Sequence, residues 1–507
     1  MSTTQETLDM LKTAQANPDD LIKSFVQPGT STTGLQAYNL EAPSKKLYPI
    51  LTPLRNSIPR VSGGYAIQAN WKSITNINVN NVRAGVAEGA RGGVIDYSIQ
   101  EKFAAFRGIG LENNVTFEAN YASKNFEDMK ALAVQQSLEG LMVQEERLLL
   151  GGNTSVTIAK PATATLTNAA AGAETAGGVY HVHAVALGLQ AYLDVTGVNN
   201  GSIGSYFDVS TAQVPASITR TNADGSTTTF GGGSSQASTV ANSATLTAGD
   251  KLTMTTPVVA GAVGYAWFVG LASNTPTLVG VTSINSFVMT TDPVTTYQAV
   301  TAFLSADNSK SAYEYDGLLY QAWASGSGAY IANQATGTVG VGTGLTSDKA
   351  GGIVEIETAF VNFYNKYRLS PTVMYVSSQE LVNITKSIIG NNGAPLLRLT
   401  TDALNPSAVQ AGLVVGEYLN KVTGQKVAIR VHPNLPAGTI FFFTEKLPYP
   451  MSNVGNTTQV LLRQDYYQLE WPLRTRKYEY GVYADGVLQS YAPFSMGIIT
   501  NIGNVVA

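Results

Sequence analysis

The sequence predicts an α+β protein that is interrupted by an inserted all-β domain. A long amphipathic helix is predicted over about residues 125–150. It is followed by a segment rich in Ser, Thr, Gly and Ala, residues 157–310, and a chain of more ordinary composition resumes near Tyr315. Because the composition changes at both ends of this segment, we expect one core protein that is opened by an insertion directly after its longest helix.

Composition narrows the functional classes. The chain has 507 residues, more than one hydrophobic core usually supports, and its charged fraction of 13% is about half the usual share. A net charge of −4 supplies no strong field for nucleic acid, and the absence of cysteine excludes disulfides and thiolate metal sites. The first residues lack the pattern of a signal peptide, and no apolar run approaches the ~20 residues of a membrane span. We therefore expect a soluble protein that is made in the cytoplasm.

The first 121 residues lack the pattern of a self-contained core. Residues 1–61 predict an N-terminal arm, in which a short amphipathic helix gives way to proline-interrupted extended chain. Residues 62–121 predict a long β-hairpin, with alternating runs at 65–71 and 115–118 around a glycine-rich tip at 83–93. A two-stranded hairpin is marginal alone, so it requires a partner surface such as a neighbouring subunit. The alternatives are a disordered tail for the arm and a hairpin packed on its own domain.

The long helix is marked by an apolar stripe. Glu127 and Asp128 are expected in its first turn, and Gly151-Gly152 is expected to end it through a left-handed cap. Glu145 falls within the stripe, where it can meet a basic partner, whereas Glu146 falls on the polar side. We interpret this acidic pair as a solvated or intersubunit contact. The stripe consists of Ala131, Val134, Leu138, Leu141, Met142, Leu148 and Leu149.

Residues 157–310 predict many short strands separated by turns. A hairpin is expected from 217–221 and 227–230 around Asn222-Ala223-Asp224-Gly225, and further strands from 179–187 and 251–255. Gly264–Gly270 carries an aromatic core of Tyr265, Trp267 and Phe268. This pattern favours a β-sandwich. The stretch GAVGYAWFVG and the following TLVGVTSINSFVMTT loosely resemble fibronectin type III or immunoglobulin-like modules, so we expect a separable domain.

From Tyr315 the pattern returns to α+β. The predicted elements are a helix at 353–367, a strand at 372–376, a helix at 378–389 capped by Ser378, buried strands at 413–416, 426–431 and 439–443, and alternating strands between 459 and 491.

The common catalytic motifs are absent from the sequence. There is no phosphate-binding loop, no nucleophile elbow and no zinc-protease motif. His181 and His183 share one strand face, but the sequence offers no third ligand nearby, so a half-exposed strand face is the favoured interpretation. A basic cluster of Arg474, Arg476 and Lys477 can meet either a phosphate backbone or acidic residues of another subunit, and the latter is favoured. We therefore expect no catalytic residue, no cofactor and no metal.

The order of these parts resembles the major capsid proteins of tailed double-stranded DNA bacteriophages, which have the Hong Kong 97 fold. The resemblance rests on the helix end EERLLLGGN, on YDGLLYQA and SPTVMYVSSQEL, and on the later stretches GLVVGEYLNKVTGQKVAIRVHPNLPAGTIFFF and YGVYADGVLQSYAPFSMGIITNI. It covers the chain except the insert and, weakly, the arm, and it depends on the order of parts.

The resemblance implies a domain for each segment. The hairpin at 62–121 would be the E-loop that lies over a neighbouring subunit, and its tip residues Arg83, Glu88 and Arg91 would contact that subunit. The remaining assignments are the N-terminal arm at 1–61, the spine helix of the peripheral (P) domain at 122–156, the inserted surface domain at 157–310, the axial (A) domain with P-domain segments at 311–450, and the closing strands of both domains at 451–507.

The implied function is structural. The chain would form hexamers and pentamers of an icosahedral virion shell that encloses double-stranded DNA without reading its sequence. A portal, a separate scaffolding protein and, in some relatives, a cement protein would be its partners. The tip carries arginines and the hairpin lysines are Lys72 and Lys102, so a lysine–asparagine crosslink is not expected. The rival classes are a bacterial surface or adhesive protein, a carbohydrate-active enzyme, and an encapsulin-type shell.

Overall fold

The computed structural model describes residues 9, 44–77, 82–124, 126–170, 172–173, 178–197, 207–390, 401–402, 405–409 and 414–506. Helices and strands are mixed along the chain, which confirms the α+β class. The chain divides into two compact units, Met1–Lys46 with Glu118–Met129, and Leu47–Phe117 with Lys130–Ala507. In the first unit, Ser44 Oγ donates to Glu127 Oε2 at 2.7 Å. Within the described ranges, no helix is long and apolar enough to cross a membrane.

The elements before the insert include the predicted hairpin, with different bounds. The hairpin is formed by β2 and β3, and the chain leaves it at the buried Phe106. Val115 and Thr116 lie in β4 (Arg107–Thr116), which joins another sheet, while Phe117 and Glu118 begin α2 (Phe117–Ala122). The strand predicted at 115–118 is therefore confirmed for its first two residues and wrong for the last two. In chain order the elements are α1 (Pro53–Ser57), β1 (Arg60–Ser62), β2 (Gln68–Ile77), β3 (Tyr97–Ala105), β4 (Arg107–Thr116), α2 (Phe117–Ala122) and α3 (Met129–Gly151).

The long helix α3 (Met129–Gly151) begins later than predicted, and the glycines at its end have a different role from the predicted one. It starts at Met129, so Glu127 and Asp128 precede it, and its 23 residues span roughly 35 Å at 1.5 Å per residue. Gly151 and Gly152 do not adopt the left-handed conformation. They are needed for close packing, because a Cβ on Gly151 would lie 2.2 Å from a Leu189 side-chain carbon and one on Gly152 would lie 2.4 Å from the Tyr315 carbonyl oxygen.

The insert contains two sheets that share one core. Leu252 and Met254 from the sheet β13-β10-β5 pack with Val182 and Trp267 from the sheet β12-β11-β6-β9. The opposite face of the second sheet is also buried, and Phe268 packs there with residues from α4 and the 3-10 turn. The elements are β5 (Thr165–Ala170), β6 (His181–Leu187), α4 (Leu189–Thr196), β7 (Ser217–Thr221), β8 (Thr227–Gly231), β9 (Ala241–Asn242), β10 (Asp250–Thr255), β11 (Gly264–Gly270), β12 (Thr277–Thr282), β13 (Ser286–Met289) and a 3-10 turn (Val300–Phe303).

The insert is joined to the rest of its unit by shared packing. Leu189 and Val263 belong to the core that contains Leu149 and Leu150 of α3, while Tyr320 belongs to the core of the insert. The segment that enters the insert and the segment that leaves it lie side by side. Gly317 N donates to Gly152 O at 2.8 Å, and Ser311 N donates to Asn153 O at 2.8 Å. The predicted hairpin at 217–221 and 227–230 is confirmed as β7–β8, in which Thr221 pairs with Thr227.

After the insert the chain builds a six-stranded sheet and completes a four-stranded sheet that already contains β1 and β4. Leu413 lies outside the described residues and 414–416 are not a strand, so pairing starts at Glu417. The cap of α7 is Ser377, whose Oγ accepts from Glu380 N at 3.2 Å, and not Ser378. The elements are α5 (Leu318–Trp323), β14 (Tyr330–Asn333), β15 (Thr343–Leu345), α6 (Val354–Tyr367), β16 (Val373–Val376), α7 (Ser378–Gly390), β17 (Thr401–Asp402), β18 (Asn405–Val409), β19 (Glu417–Leu419), β20 (Lys426–Val431), β21 (Ile440–Phe443), β22 (Thr458–Glu470), β23 (Lys477–Ser490), a 3-10 turn (Pro493–Ser495), β24 (Gly497–Thr500) and β25 (Ile502–Val506).

The six-stranded sheet, β14-β24-β21-β16-β20-β19, is buried on both faces. Met374 and Phe442 pack against Phe360 of α6 on one face, and Tyr375 and Phe441 belong to the core on the other face. The four-stranded sheet has the order β1-β22-β23-β4, so it joins residues near the start of the described chain to residues near its end. In its register Val61 pairs with Leu461 in parallel, and Leu111 pairs with Val482.

Candidate assembly surfaces

One face of the hairpin β2–β3 is left uncovered by the part of its unit that the structure describes. Ile74 lies directly opposite Ile99, and Phe103 lies on the same face of the two-stranded ribbon. These side chains are 67%, 59% and 73% exposed, respectively. Burial of such large apolar groups is favourable by about 1.5–3 kcal/mol each, so this face is a strong candidate for contact with another molecule.

The other face of the hairpin is anchored near its base. Ala69 is buried in the main core, and Trp71 donates from Nε1 to Ser490 O at 3.1 Å while its ring meets that of Tyr491 edge-on. Ser73 Oγ donates to Tyr491 O at 3.3 Å. The base is therefore fixed to the end of β23, and the strands extend from there.

The tip of the hairpin carries the three residues that the sequence analysis singled out. Arg83, Glu88 and Arg91 are all exposed, and in the described part of the chain none of them forms an ion pair. Gly89 has a φ of +76°, and a Cβ there would meet nothing within 4 Å. The tip is thus an open turn with room for another surface to approach its backbone. Its contact with another subunit remains a prediction.

A cleft of about 640 Å³ opens between the anchored face of the hairpin and the body of the unit. On the hairpin side it is lined by Trp71 and Lys102, and on the body side by Glu314, Asp316 and the loop 324–327, together with other residues. Burial lowers the pKa of Lys102 to about 8 and raises the pKa of Glu314 to about 7. Asp316 Oδ1 accepts from Thr154 N at 2.8 Å, which places that carboxylate beside the residues that lead into the insert.

The basic cluster lies where β22 turns into β23. Arg474 and Arg476 are exposed, and Lys477 Nζ forms an ion pair with Glu479 at 2.8 Å in the same strand. The pKa of Asp224, at the tip of β7–β8, is lowered chiefly by hydrogen bonds with Ser226, and Arg474 contributes to the shift. Part of the cluster's charge is therefore balanced within the chain, and a contact with another subunit or with DNA remains a prediction.

A buried polar joint connects the N-terminal segment to α3, and only part of it was predicted. Glu145 is 2% exposed and pairs with Arg55 Nε at 3.2 Å and Arg60 Nη1 at 2.6 Å, so the expected basic partner is present. Glu146, which was predicted to be on the polar side, is 0% exposed, and neither carboxylate is solvated. Glu146 Oε1 accepts from Leu54 N at 2.8 Å, and Glu146 Oε2 accepts from Arg55 N at 2.7 Å.

The joint is completed by the third histidine of the chain. His432 Nε2 lies 2.7 Å from Glu146 Oε1, and both side chains are fully buried. The carboxylate thus stabilises the two first amide groups of α1, which have no partner within that short helix. The sequence pattern predicted extended chain in this region, so both α1 and the side chain that satisfies its first amide groups were missed.

The remaining histidines are structural. His183 Nδ1 is 2.8 Å from Ser238 O, and His181 Nδ1 is 2.7 Å from Asn242 Oδ1. Among the residues that the structure describes, no group of His, Asp or Glu side chains is arranged to hold a metal ion. Glu380 is buried on α7, where Oε1 accepts from Gly438 N at 3.1 Å and burial raises its pKa to about 7. This hydrogen bond joins α7 to the turn that precedes β21.

Comparison with known proteins yields structural neighbours only. No protein-family model and no curated protein matches the chain. Similar solved structures include the cyanophage A-1(L) capsid asymmetric unit, with 10% identity, a TM-score of 0.41, and 92% of this chain and 97% of that chain covered. The capsid of the Myoviridae phage XM1 has 9% identity and a TM-score of 0.39 over 92% and 97% of the two chains. The holo-SrpI encapsulin complex from Synechococcus elongatus PCC 7942 has 9% identity and a TM-score of 0.38 over 92% and 94%. At these identities and TM-scores the likenesses assign no function by themselves.

Proposed function

We propose that the chain is a structural shell subunit with the Hong Kong 97 type of fold, the major capsid protein of a tailed double-stranded DNA phage. The observation that carries this proposal is the uncovered apolar face of β2–β3, with Ile74, Ile99 and Phe103 exposed. Such a ribbon has no core of its own, so its apolar face is stabilised by burial against neighbouring copies. In this assignment α3 is the spine helix, the hairpin is the E-loop, and the six-stranded sheet belongs to the A domain.

Pentamers, hexamers and a closed icosahedral shell are the expected assemblies, and the shell encloses DNA without sequence-specific contacts. A mildly acidic subunit with a net charge of −4 suits that role, because it does not clamp onto a packaged polyanion. A portal, a separate scaffolding protein and a cement protein are the proposed partners, the virion is the proposed location, and synthesis in the host cytoplasm is part of the same proposal. No enzymatic activity is proposed.

The first test measures self-association and the role of the apolar face. Mass photometry and negative-stain microscopy of the purified chain, with and without its scaffolding protein, are expected to show capsomers or shells. The double variant Ile74→Ser/Ile99→Ser is expected to remain monomeric with unchanged unfolding, because both side chains are exposed in the subunit. Val294→Ser, an exposed apolar residue of the insert, is the matched control. A wild-type chain that stays a compact monomer in both conditions would contradict the proposal.

The contents of the shell distinguish the proposed capsid from the encapsulin-type alternative. Shells that carry nuclease-protected double-stranded DNA support a capsid. Shells that enclose a protein cargo and no DNA support an encapsulin, and the subunit interfaces would then be reassigned to that function. The insert at 157–310 remains proposed as an immunoglobulin-like surface domain whose Ser- and Thr-rich strands face outward.

A further inference from the structure

The cleft beneath the hairpin contains a partly buried lysine. Lys102 lies on the anchored face of β3, opposite Trp71, and lines the cleft. In the part of the chain that the structure describes, no carboxylate lies within ion-pair distance of its Nζ, and burial lowers its pKa to about 8. A desolvated ammonium group is unfavourable unless an anion pairs with it, so the subunit alone is incomplete at this point.

The tip of the hairpin offers matching charges. Glu88 is exposed between Arg83 and Arg91, which are exposed as well. The cleft carries charges of both signs, with Lys102 and Arg107 as its cations and Glu101, Glu314 and Asp316 as its carboxylates. The volume of about 640 Å³ falls within the roughly 300–1,000 Å³ range of ligand-binding pockets, which is large enough for the end of a loop.

The tip cannot enter the cleft of its own subunit. Trp71 and Lys102 line the cleft, and the six residues of β2 beyond Trp71 separate this point from the far end of the strand by roughly 20 Å at about 3.3 Å per residue. A contact between tip and cleft must therefore join two copies. Because it uses two different surfaces of the same chain, it is a head-to-tail contact, and repetition of it closes into a ring when the rotation between copies allows.

We propose that the cleft lined by Trp71 and Lys102 receives the hairpin tip of a second copy of this chain, with Lys102 paired to Glu88 of the partner subunit. This inference rests on the proposed shell function and names the surface that the tip binds. The facing carboxylates Glu314 and Asp316 then lie where arginines that flank the inserted glutamate can pair with them. The contact recurs at every subunit of a ring, so its effect on assembly is multiplied by the number of copies.

The first arm of the test exchanges the two charges. Glu88→Lys and Lys102→Glu are each expected to raise the subunit concentration at half-assembly at least tenfold, and the double variant Glu88→Lys/Lys102→Glu is expected to restore it to within about threefold of wild type. Lys160→Glu, an exposed lysine outside the cleft, is the control and is expected to leave that concentration unchanged. Restoration by the double variant also shows that both single variants fold.

The second arm leaves all the charges in place. The chain has no cysteine, so introduced thiols have no competitors. A size-tagged Ala87→Cys chain mixed with a Ser325→Cys chain is expected to give a mixed disulfide dimer on oxidation, because the first site adjoins Glu88 and the second lines the cleft. The same tagged chain mixed with Thr227→Cys, an exposed site on β8, is expected to give none.

The outcomes separate the two levels of the argument. If the wild-type chain does not self-associate, the proposed function fails. If it assembles but the double exchange does not restore assembly and the mixed disulfide does not form, the tip binds elsewhere and this inference is wrong while the shell function stands. Restored assembly together with the specific disulfide supports the inference.

Discussion

Glu146→Gln is expected to weaken the joint between α1 and α3 severely. The carboxylate is 0% exposed and accepts from three groups, Leu54 N at 2.8 Å, Arg55 N at 2.7 Å and His432 Nε2 at 2.7 Å. A glutamine of the same size keeps one oxygen but turns an amide donor toward a group that also donates. A hydrogen bond to a charged group contributes about 1.5–3 kcal/mol, so we expect a loss of about 3 kcal/mol in the free energy of unfolding.

Urea unfolding of the unassembled subunit measures that loss, and limited proteolysis localises it. Cleavage between residues 44 and 62 is expected to accelerate in Glu146→Gln before the remainder of the chain opens, because α1 is held by this carboxylate. Gln144→Ala, two positions earlier on the same helix and only partly buried, is the control and is expected to change stability by less than 1 kcal/mol. A change in Glu146→Gln no larger than that of the control would refute the reasoning.

Buried groups of α7, of the cleft and of the insert are each expected to affect the stability of the chain. The pKa of Glu380 is raised to about 7 in the folded chain, so the unfolded chain loses this proton at a lower pH than the folded chain does. The free energy of unfolding should therefore fall from about pH 4.5 to pH 7 and then level off. Glu380→Gln should remove that slope and stabilise the subunit at pH 8 by up to about 3 kcal/mol in urea unfolding, and an unchanged slope would count against this assignment. Because the pKa of Lys102 is lowered to about 8, its charged form should destabilise the subunit below pH 8, and this destabilisation should disappear as the pH rises toward 10.5. Lys102→Met should therefore stabilise the monomer by roughly 1 kcal/mol after solvent screening, and it should weaken assembly. A fragment of residues 157–310 should unfold cooperatively and show a β-type circular dichroism spectrum. A fragment of residues 153–324 should melt at a higher temperature, because it includes Tyr320, which packs in the core of the insert. Equal melting temperatures would show that the packing of Tyr320 contributes little.

The parts of the fold that sequence reasoning predicted well are those whose pattern is local. The hairpin β7–β8 was predicted from a turn sequence between alternating runs, and the helix α6 from apolar residues such as Phe360 and Phe363 at helical spacing. Both patterns repeat over a few neighbouring residues and need no knowledge of distant contacts. The same holds for the glycine-rich tip of the hairpin, which lies where the turn was expected.

The sequence-based predictions were wrong where a residue's environment depends on a partner that is distant in the sequence. Glu146 is buried because α1 and His432, 286 positions away, meet it there, and no periodicity of α3 reveals that. Gly151 is a glycine because Leu189 packs against it, not because of a helix cap. The cleft beneath the hairpin was not predictable, since its walls come from β2, from β3 and from residues before and after the insert that are brought together only in the folded chain.

The strand order β1-β22-β23-β4 affects how the chain folds during synthesis on the ribosome. Val61 pairs with Leu461 and Leu111 with Val482, so the first-made strands wait for residues about 400 positions later. At roughly 5–20 residues per second, that delay is roughly 20–80 s for each nascent chain. During it, the edges of β4 and the apolar side chains of the first hairpin have no native neighbour, although the insert can already be complete. High contact order of this kind slows folding and exposes the nascent subunit to aggregation, so its yield should depend on chaperone supply and synthesis rate.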